Sequence, residues 1–178
     1  MHLARSVLMI APLAVGLACG SDPAPQEWDA FVNEFLEASY TVDPAFAVRL
    51  GRHDFDGRLA DFGDAALRRE IARLHAARQH ALGIDSMRLD AARRFDRVYL
   101  MAVIDGQLFW LETAEWPWKN PQFYSDALDP APYVTRDYAP LPTRLKAMIG
   151  WARAVPTVVS QVRANLRTPL PQIGRAHV

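Results

Sequence analysis

Apolar residues recur at helical spacing along most of this chain, and Asp, Gly and Pro mark the breaks between periodic stretches. From Trp28 the pattern is helical, with Phe31, Phe35 and Leu36 on one face. Asp43-Pro44 opens a short second helix, with Asp43 as N-cap and Pro44 at the first helical position; Phe46, Val48 and Leu50 are its apolar content and Gly51 its stop. His53 to Gly63 is a loop rich in Asp and Gly. Asp64 is the expected N-cap of a third helix to about Leu82, with Leu67, Ile71, Leu74 and Ala81 as its apolar stripe and Gly83 as its C-cap.

The longest helix is predicted from Asp90 to about Glu115. Phe95, Val98, Tyr99, Ala102, Leu108, Phe109 and Leu111 leave few polar faces in its second half, and a helix apolar nearly all round belongs inside a bundle. Trp116-Pro117-Trp118 ends it. The stretch from Pro117 to Pro142 holds six prolines and no sustained period, which predicts a long ordered loop. A helix then starts at Leu141 with Leu145, Met148, Ile149 and Ala152 inward. Pro156 is expected to break it, leaving Val158, Val159, Val162 and Leu166 to a last helix. No alternating run of strand length occurs, so the expected class is all-α with no sheet.

The first residues carry a different signal. Val7 to Leu17 is an apolar run behind His2 and Arg5, too short for a spanning helix of about 20 residues but suited to a signal-peptide core. The chain's one cysteine follows in Leu17-Ala18-Cys19-Gly20-Ser21, which resembles a bacterial lipobox. Residues 1–18 then form a signal peptide, Cys19 carries the lipid and residues 19–27 are a tether. Gly16 stands where the lipobox prefers Leu, and Gly16 with Ala18 also suits ordinary signal-peptidase cleavage. Both readings mean export. The first adds a membrane anchor and places the protein in the cell envelope, on the outer membrane or facing the periplasm.

Composition narrows the function classes. The 178 residues are 51% hydrophobic with a formal net charge of zero, which is globular and gives no basic stripe for nucleic acid. There is no H-E-x-x-H, G-x-S-x-G, phosphate loop or dinucleotide fingerprint. His75 and His80 are five apart, off one helical face, and read as solvated surface. Asp105 and Glu112 share a face of the long helix without a histidine at the spacing of a di-metal bundle site, so pairing with arginines is expected.

Two other groups carry candidate chemistry. His53, Asp54, Asp56 and Arg58 could form a binding loop or an acid–base pair; alternatively the aspartates hold a turn through backbone amides and Arg58 pairs with an acid. Trp116, Trp118, Phe123, Tyr124, Tyr133 and Tyr138 could bind sugars or peptides, or clamp the Pro-rich loop onto the helices.

Taken in order, Phe31 to Leu36, Asp43-Pro44 with Leu50-Gly51, His53 to Leu59, Asn120-Pro121 with Tyr124, Arg144, Val155-Pro156 and Asn165-Leu166 with Pro169 resemble the N-terminal part of the bacterial family called domain of unknown function 885. The resemblance implies a longer, mostly helical, zincin-like lipoprotein related to zinc peptidases of the H-E-x-x-H type, acting on peptides, with the motif far toward the C-terminus. It therefore gives residues 28–171 no catalytic, cofactor or metal residue, and zinc belongs to the longer protein.

The last residues agree with that. Ile173-Gly174-Arg175-Ala176-His177-Val178 is the translation of a common sequencing-adapter stretch, ATC-GGA-AGA-GCA-CAC-GTC, whose next triplet is the stop TGA. On that resemblance residues 172–178 are expected to be adapter, and the main partner of 28–171 to be the C-terminal part of its own chain. Such a segment is expected to be inactive and to expose apolar faces. The alternative is a complete small helical lipoprotein acting as an envelope binding or structural module, with the aromatic loop as its surface.

Overall fold

The computed structural model describes residues 22–168, and every regular element among them is helical. The signal peptide, Cys19 and residues 172–178 lie outside the described residues. Seven α-helices follow in order: α1 Ala24–Val42, α2 Pro44–Arg49, α3 Asp64–Gly83, α4 Ala91–Leu108, α5 Trp116–Lys119, α6 Ala131–Thr135 and α7 Leu141–Asn165. No helix among the described residues is long and apolar enough to cross a membrane.

The first layer is a three-helix bundle of α1, α3 and α4. Trp28, Phe31 and Phe35 of α1 meet Leu74, Ala77 and Ala81 of α3 and Ile104 and Leu108 of α4. Cross-helix bonds fix the directions. Arg97 Nε donates to the carbonyl of Ala81, Arg78 reaches Asp105 and His75 reaches Glu112, so α3 and α4 run antiparallel. Arg93 of α4 forks onto Asp29 of α1 and so joins the N-terminal ends of two parallel helices.

The second layer is built on α7. Val158 packs with Phe62, Leu67, Trp118 and Tyr124. Asn165, buried, donates to the carbonyl of Phe62 at 2.6 Å and to the Tyr124 hydroxyl at 3.2 Å. A third apolar cluster joins Ala47 and Val48 of α2 to Phe55 and Tyr133, with Met148 and Trp151 of α7 against it.

Several sequence expectations shift. Helix α1 starts at Ala24, within the stretch read as a tether, because Pro23 is its N-cap, a second proline lies in its first turn and Asp22 accepts from the Ala24 amide. Proline costs little there, since first-turn amides have no helical partner. Asp64 is not the cap of α3: Gly63 holds that position, and Asp64, the first helical residue, pairs with Arg68 one turn on. Gly83 is the last residue of α3, with Ile84 as its cap. The Pro-rich stretch holds α5, α6 and two 3₁₀ turns, Pro121–Tyr124 and Asp126–Leu128.

Pro156 does not break the last helix. Helix α7 runs through it to Asn165. Pro156 and Ala152 both lie on the exposed side, where a carbonyl that loses its amide partner is open to water. Leu145, Ile149 and Ala152, expected inward, are exposed, and only Met148 of that set packs against the core.

Helix α4 is the largest departure. Apolar nearly all round, it reads as a helix lying inside the bundle. Ile104, Leu108 and Leu111 are buried, but Phe95, Val98 and Tyr99 are 71%, 68% and 65% exposed, and Phe109 and Trp110 are also open. The helix ends in a π-helical turn, Phe109–Thr113, and the chain leaves it through Glu115 at a positive φ of 49°.

Candidate functional site

The loop from Gly51 to Arg58 is where the sequence concentrates charged and imidazole groups, and the structure gives nearly all of them partners. A 3₁₀ turn, His53–Phe55, buries Phe55 as its anchor. Arg52 forks across Glu37 and Asp54 and lies over the rings of Tyr40 and Phe55. Those bonds, Arg52 first, hold the Asp54 carboxyl below the usual carboxylate range.

His53 and Asp56 form the core of the arrangement. His53 Nδ1 lies 3.1 Å from one oxygen of Asp56, and the Tyr138 hydroxyl donates to the other at 2.8 Å. The His53 ring stacks flat on Tyr138. Burial, and then donation to Asp56, pushes the Tyr138 hydroxyl above its ordinary range and keeps it a donor. The Gly57 amide donates to the Tyr133 hydroxyl. Gly57 itself has φ of 76° and sits so close to α7 that a Cβ would stand 2.9 Å from the Ala147 carbonyl oxygen. Only glycine fits that backbone at that distance.

This geometry orients an imidazole through a carboxylate. It also fastens the loop to the chain between α6 and α7. The aspartates do it through Arg52, His53 and Tyr138 side chains, where backbone amides had been the expected partners. Arg58, read as pairing with an acid, instead lies over the Phe55 ring and makes no ion pair among the described residues.

Arg144 completes the region and was visible in the sequence only as part of a family resemblance. Its side chain is 9% exposed. It donates to the carbonyls of Ala139, Tyr133 and Val134 and to Asp137. Nothing local in the sequence marks this arginine as buried; its partners lie in the short helix α6 and the irregular chain after it, neither long enough to show a period.

The acidic set on the long helix divides. Asp105 pairs with Arg78 as expected, whereas Glu112 takes His75 at 2.9 Å, an unforeseen partner. Glu115 accepts from Lys119 and Arg167, and these bonds lower its carboxyl. His75 and His80 are both exposed. A zinc site needs at least three protein donors. His53 with Asp56 and His75 with Glu112 each supply two, and no three His, Cys, Asp or Glu side chains gather among the described residues. Zinc does not fit either pair.

The aromatics between α4 and α7 turn mostly inward. Trp118, Tyr124 and Tyr133 are buried, and the Tyr124 hydroxyl donates to the Pro117 carbonyl. Trp110 and Trp116 lie against each other beside the π-helical turn, with ring centroids 4.1 Å apart.

Comparison with known proteins adds the following. Residues 44–175 match the family described as bacterial protein of unknown function, DUF885. No curated protein matches the chain. The fold is similar to that of a "putative lipoprotein of unknown function" from Shewanella oneidensis, with a TM-score of 0.70 at 18% identity, over 79% of this chain and 26% of that one. At that identity the likeness is one of fold, and this chain spans about a quarter of the solved protein's length. The family match runs over well more than half of the residues, through α2 to α7, and the chain belongs to the bacterial DUF885 family.

Proposed function

We propose that this chain is the helical N-terminal frame of a longer exported, lipid-anchored envelope protein, and that the longer protein is a zinc-dependent peptidase whose metal site lies outside the frame. The observation that carries the reading is the pair of coverages in the fold comparison: most of this chain matches about a quarter of a larger protein. The apolar residues left open on α4 and α7 support it, since they are positions that a larger core would cover. The zinc chemistry rests on the family resemblance alone. In that reading a bound zinc would supply the activation of water for peptide hydrolysis, and residues 22–168 hold helices in place.

The alternative of a small binding module relied on the aromatic stretch as its surface. Trp118, Tyr124 and Tyr133, three of its six aromatics, are buried, while Trp116, Phe123 and Tyr138 are half-buried.

The test is to follow the gene past the codon for Pro171, produce the full product, and measure zinc content and peptide hydrolysis. The expected result is H-E-x-x-H on a downstream helix, stoichiometric zinc and hydrolysis lost on chelation. An authentic stop close after Pro171, or a longer product that neither holds zinc nor cleaves peptides, would overturn the reading.

A further inference from the structure

Helix α4 carries apolar seams on two opposite faces, and only one of them is filled. The filled seam, Met101, Ile104, Leu108 and Leu111, advances by steps of three and four and packs into the bundle. The second seam is Phe95, Tyr99, Ala102, Gly106 and Phe109, with steps of four, three, four and three. Alternating three and four is the spacing by which one helix seats knobs into the holes of another. At 3.6 residues per turn its centre lies nearly opposite the filled seam. Phe95, Tyr99, Ala102 and Phe109 on it are all exposed.

Gly106 shows what the seam is shaped for. A glycine inside a helix is less favourable than alanine. Gly106 has no positive φ that would require it, and a Cβ added there would meet nothing within 4 Å. Nothing among the described residues accounts for it. With Ala102 one turn before it, it makes a shallow saddle between the large side chains of Phe95 and Tyr99 at one end and Phe109 at the other. A second helix could cross at that saddle with its backbone close to that of α4. Asp96, on the flank of the seam, makes no ion pair among the described residues, which favours a basic residue on the crossing helix.

We infer that the open seam of α4 is the seat of an amphipathic helix from the downstream part of this protein's own longer chain, crossing at Ala102 and Gly106. The inference rests on the proposal that a longer chain exists. The occupant follows from length: about three quarters of the larger protein with this fold lies outside the part matched here.

The experiment introduces Ala102→Cys, and separately Gln79→Cys on the exposed face of α3 as a control, into the full-length protein and into the 178-residue chain. Maleimide labelling is followed against each parent, so that any labelling of Cys19 is subtracted. In the 178-residue chain both positions should label at similar rates. In the full-length protein the cysteine at 102 should label at least tenfold more slowly than that at 79, independent of protein concentration, and recover on denaturation. Gly106→Leu should lower the melting temperature of the full-length protein and leave that of the 178-residue chain unchanged or higher. Equal labelling at 102 and 79 in a full-length protein that holds its zinc would overturn the inference while leaving the proposed function standing. Protection that appears only as concentration rises would assign the seam to a second copy and overturn it too. A gene that stops near Pro171 would remove both readings.

Discussion

The Tyr138 ring lies on the His53 ring, with centroids 3.5 Å apart and planes 6° apart, and both side chains reach the same Asp56 carboxylate. That contact ties the loop after α2 to the chain entering α7. Asp56 is only 13% exposed at its side chain, so these partners supply hydrogen bonds that water would otherwise make.

Tyr138→Phe keeps the ring and removes the donor. Hydrogen bonds to charged groups contribute about 1.5–3 kcal/mol, and His53 still faces Asp56, so a loss near the lower end is expected. Urea unfolding of the variant beside the parent checks it. A midpoint unchanged from the parent would mean that the hydroxyl is not holding the loop.

Gly57→Ala should be worse than Gly51→Ala. Both positions have positive φ, but only at Gly57 would the new Cβ meet the Ala147 carbonyl. Left-handed backbone alone costs a non-glycine residue about 1–2 kcal/mol; the Gly57 variant adds a clash that α7 must move to relieve. Equal melting temperatures for the two variants would contradict the close approach.

Acid should loosen the ion pairs that join the bundle. Hydrogen bonding from Arg93 lowers the Asp29 and Asp90 carboxyls, and bonding first from Lys119 and then from Arg167 lowers that of Glu115. Folded values below the ordinary carboxylate pKa of about 4 mean that the stabilisation is present above that pH and is lost as pH falls through the folded values. These groups are solvent-accessible, so salt should weaken the effect. Melting temperatures from pH 6 down to pH 3, in low and high salt, check this; a flat profile would show that the pairs add nothing.

Much of the fold was legible because its signals are local. Asp43-Pro44 opens α2, with the Asp43 side chain accepting from the Phe46 amide, and Asp90 caps α4 by accepting from the Arg93 amide. What failed depended on partners distant in sequence. Pro156 looked like a break because a proline removes one backbone bond, yet burial of Val158 and Asn165 beyond it keeps α7 in line. The apolar second face of α4 was read as buried because periodicity reports what a residue prefers and not whether a neighbour is present. At the candidate site, the sequence marked His53, Asp54, Asp56 and Arg58. It could not show that Tyr138 and Tyr133 would meet them, because Tyr138 lies in irregular chain and Tyr133 in a helix of five residues, too short to carry a period.

Arg144→Lys tests the buried arginine. Lysine keeps the charge but cannot reproduce the planar fork that reaches Ala139, Tyr133, Val134 and Asp137. Leaving buried carbonyls unpaired costs about 1–3 kcal/mol, so the variant should unfold at lower urea. Stability equal to the parent would mean that the charge alone suffices.

Metal content by mass spectrometry of two purified proteins, the 178-residue chain and the full-length product of the same gene, shows whether the zinc site lies outside the helical frame. The expectation is stoichiometric zinc in the full-length protein and none above background in the 178-residue chain. Stoichiometric zinc on the 178-residue chain, or its absence from the full-length protein, would contradict it.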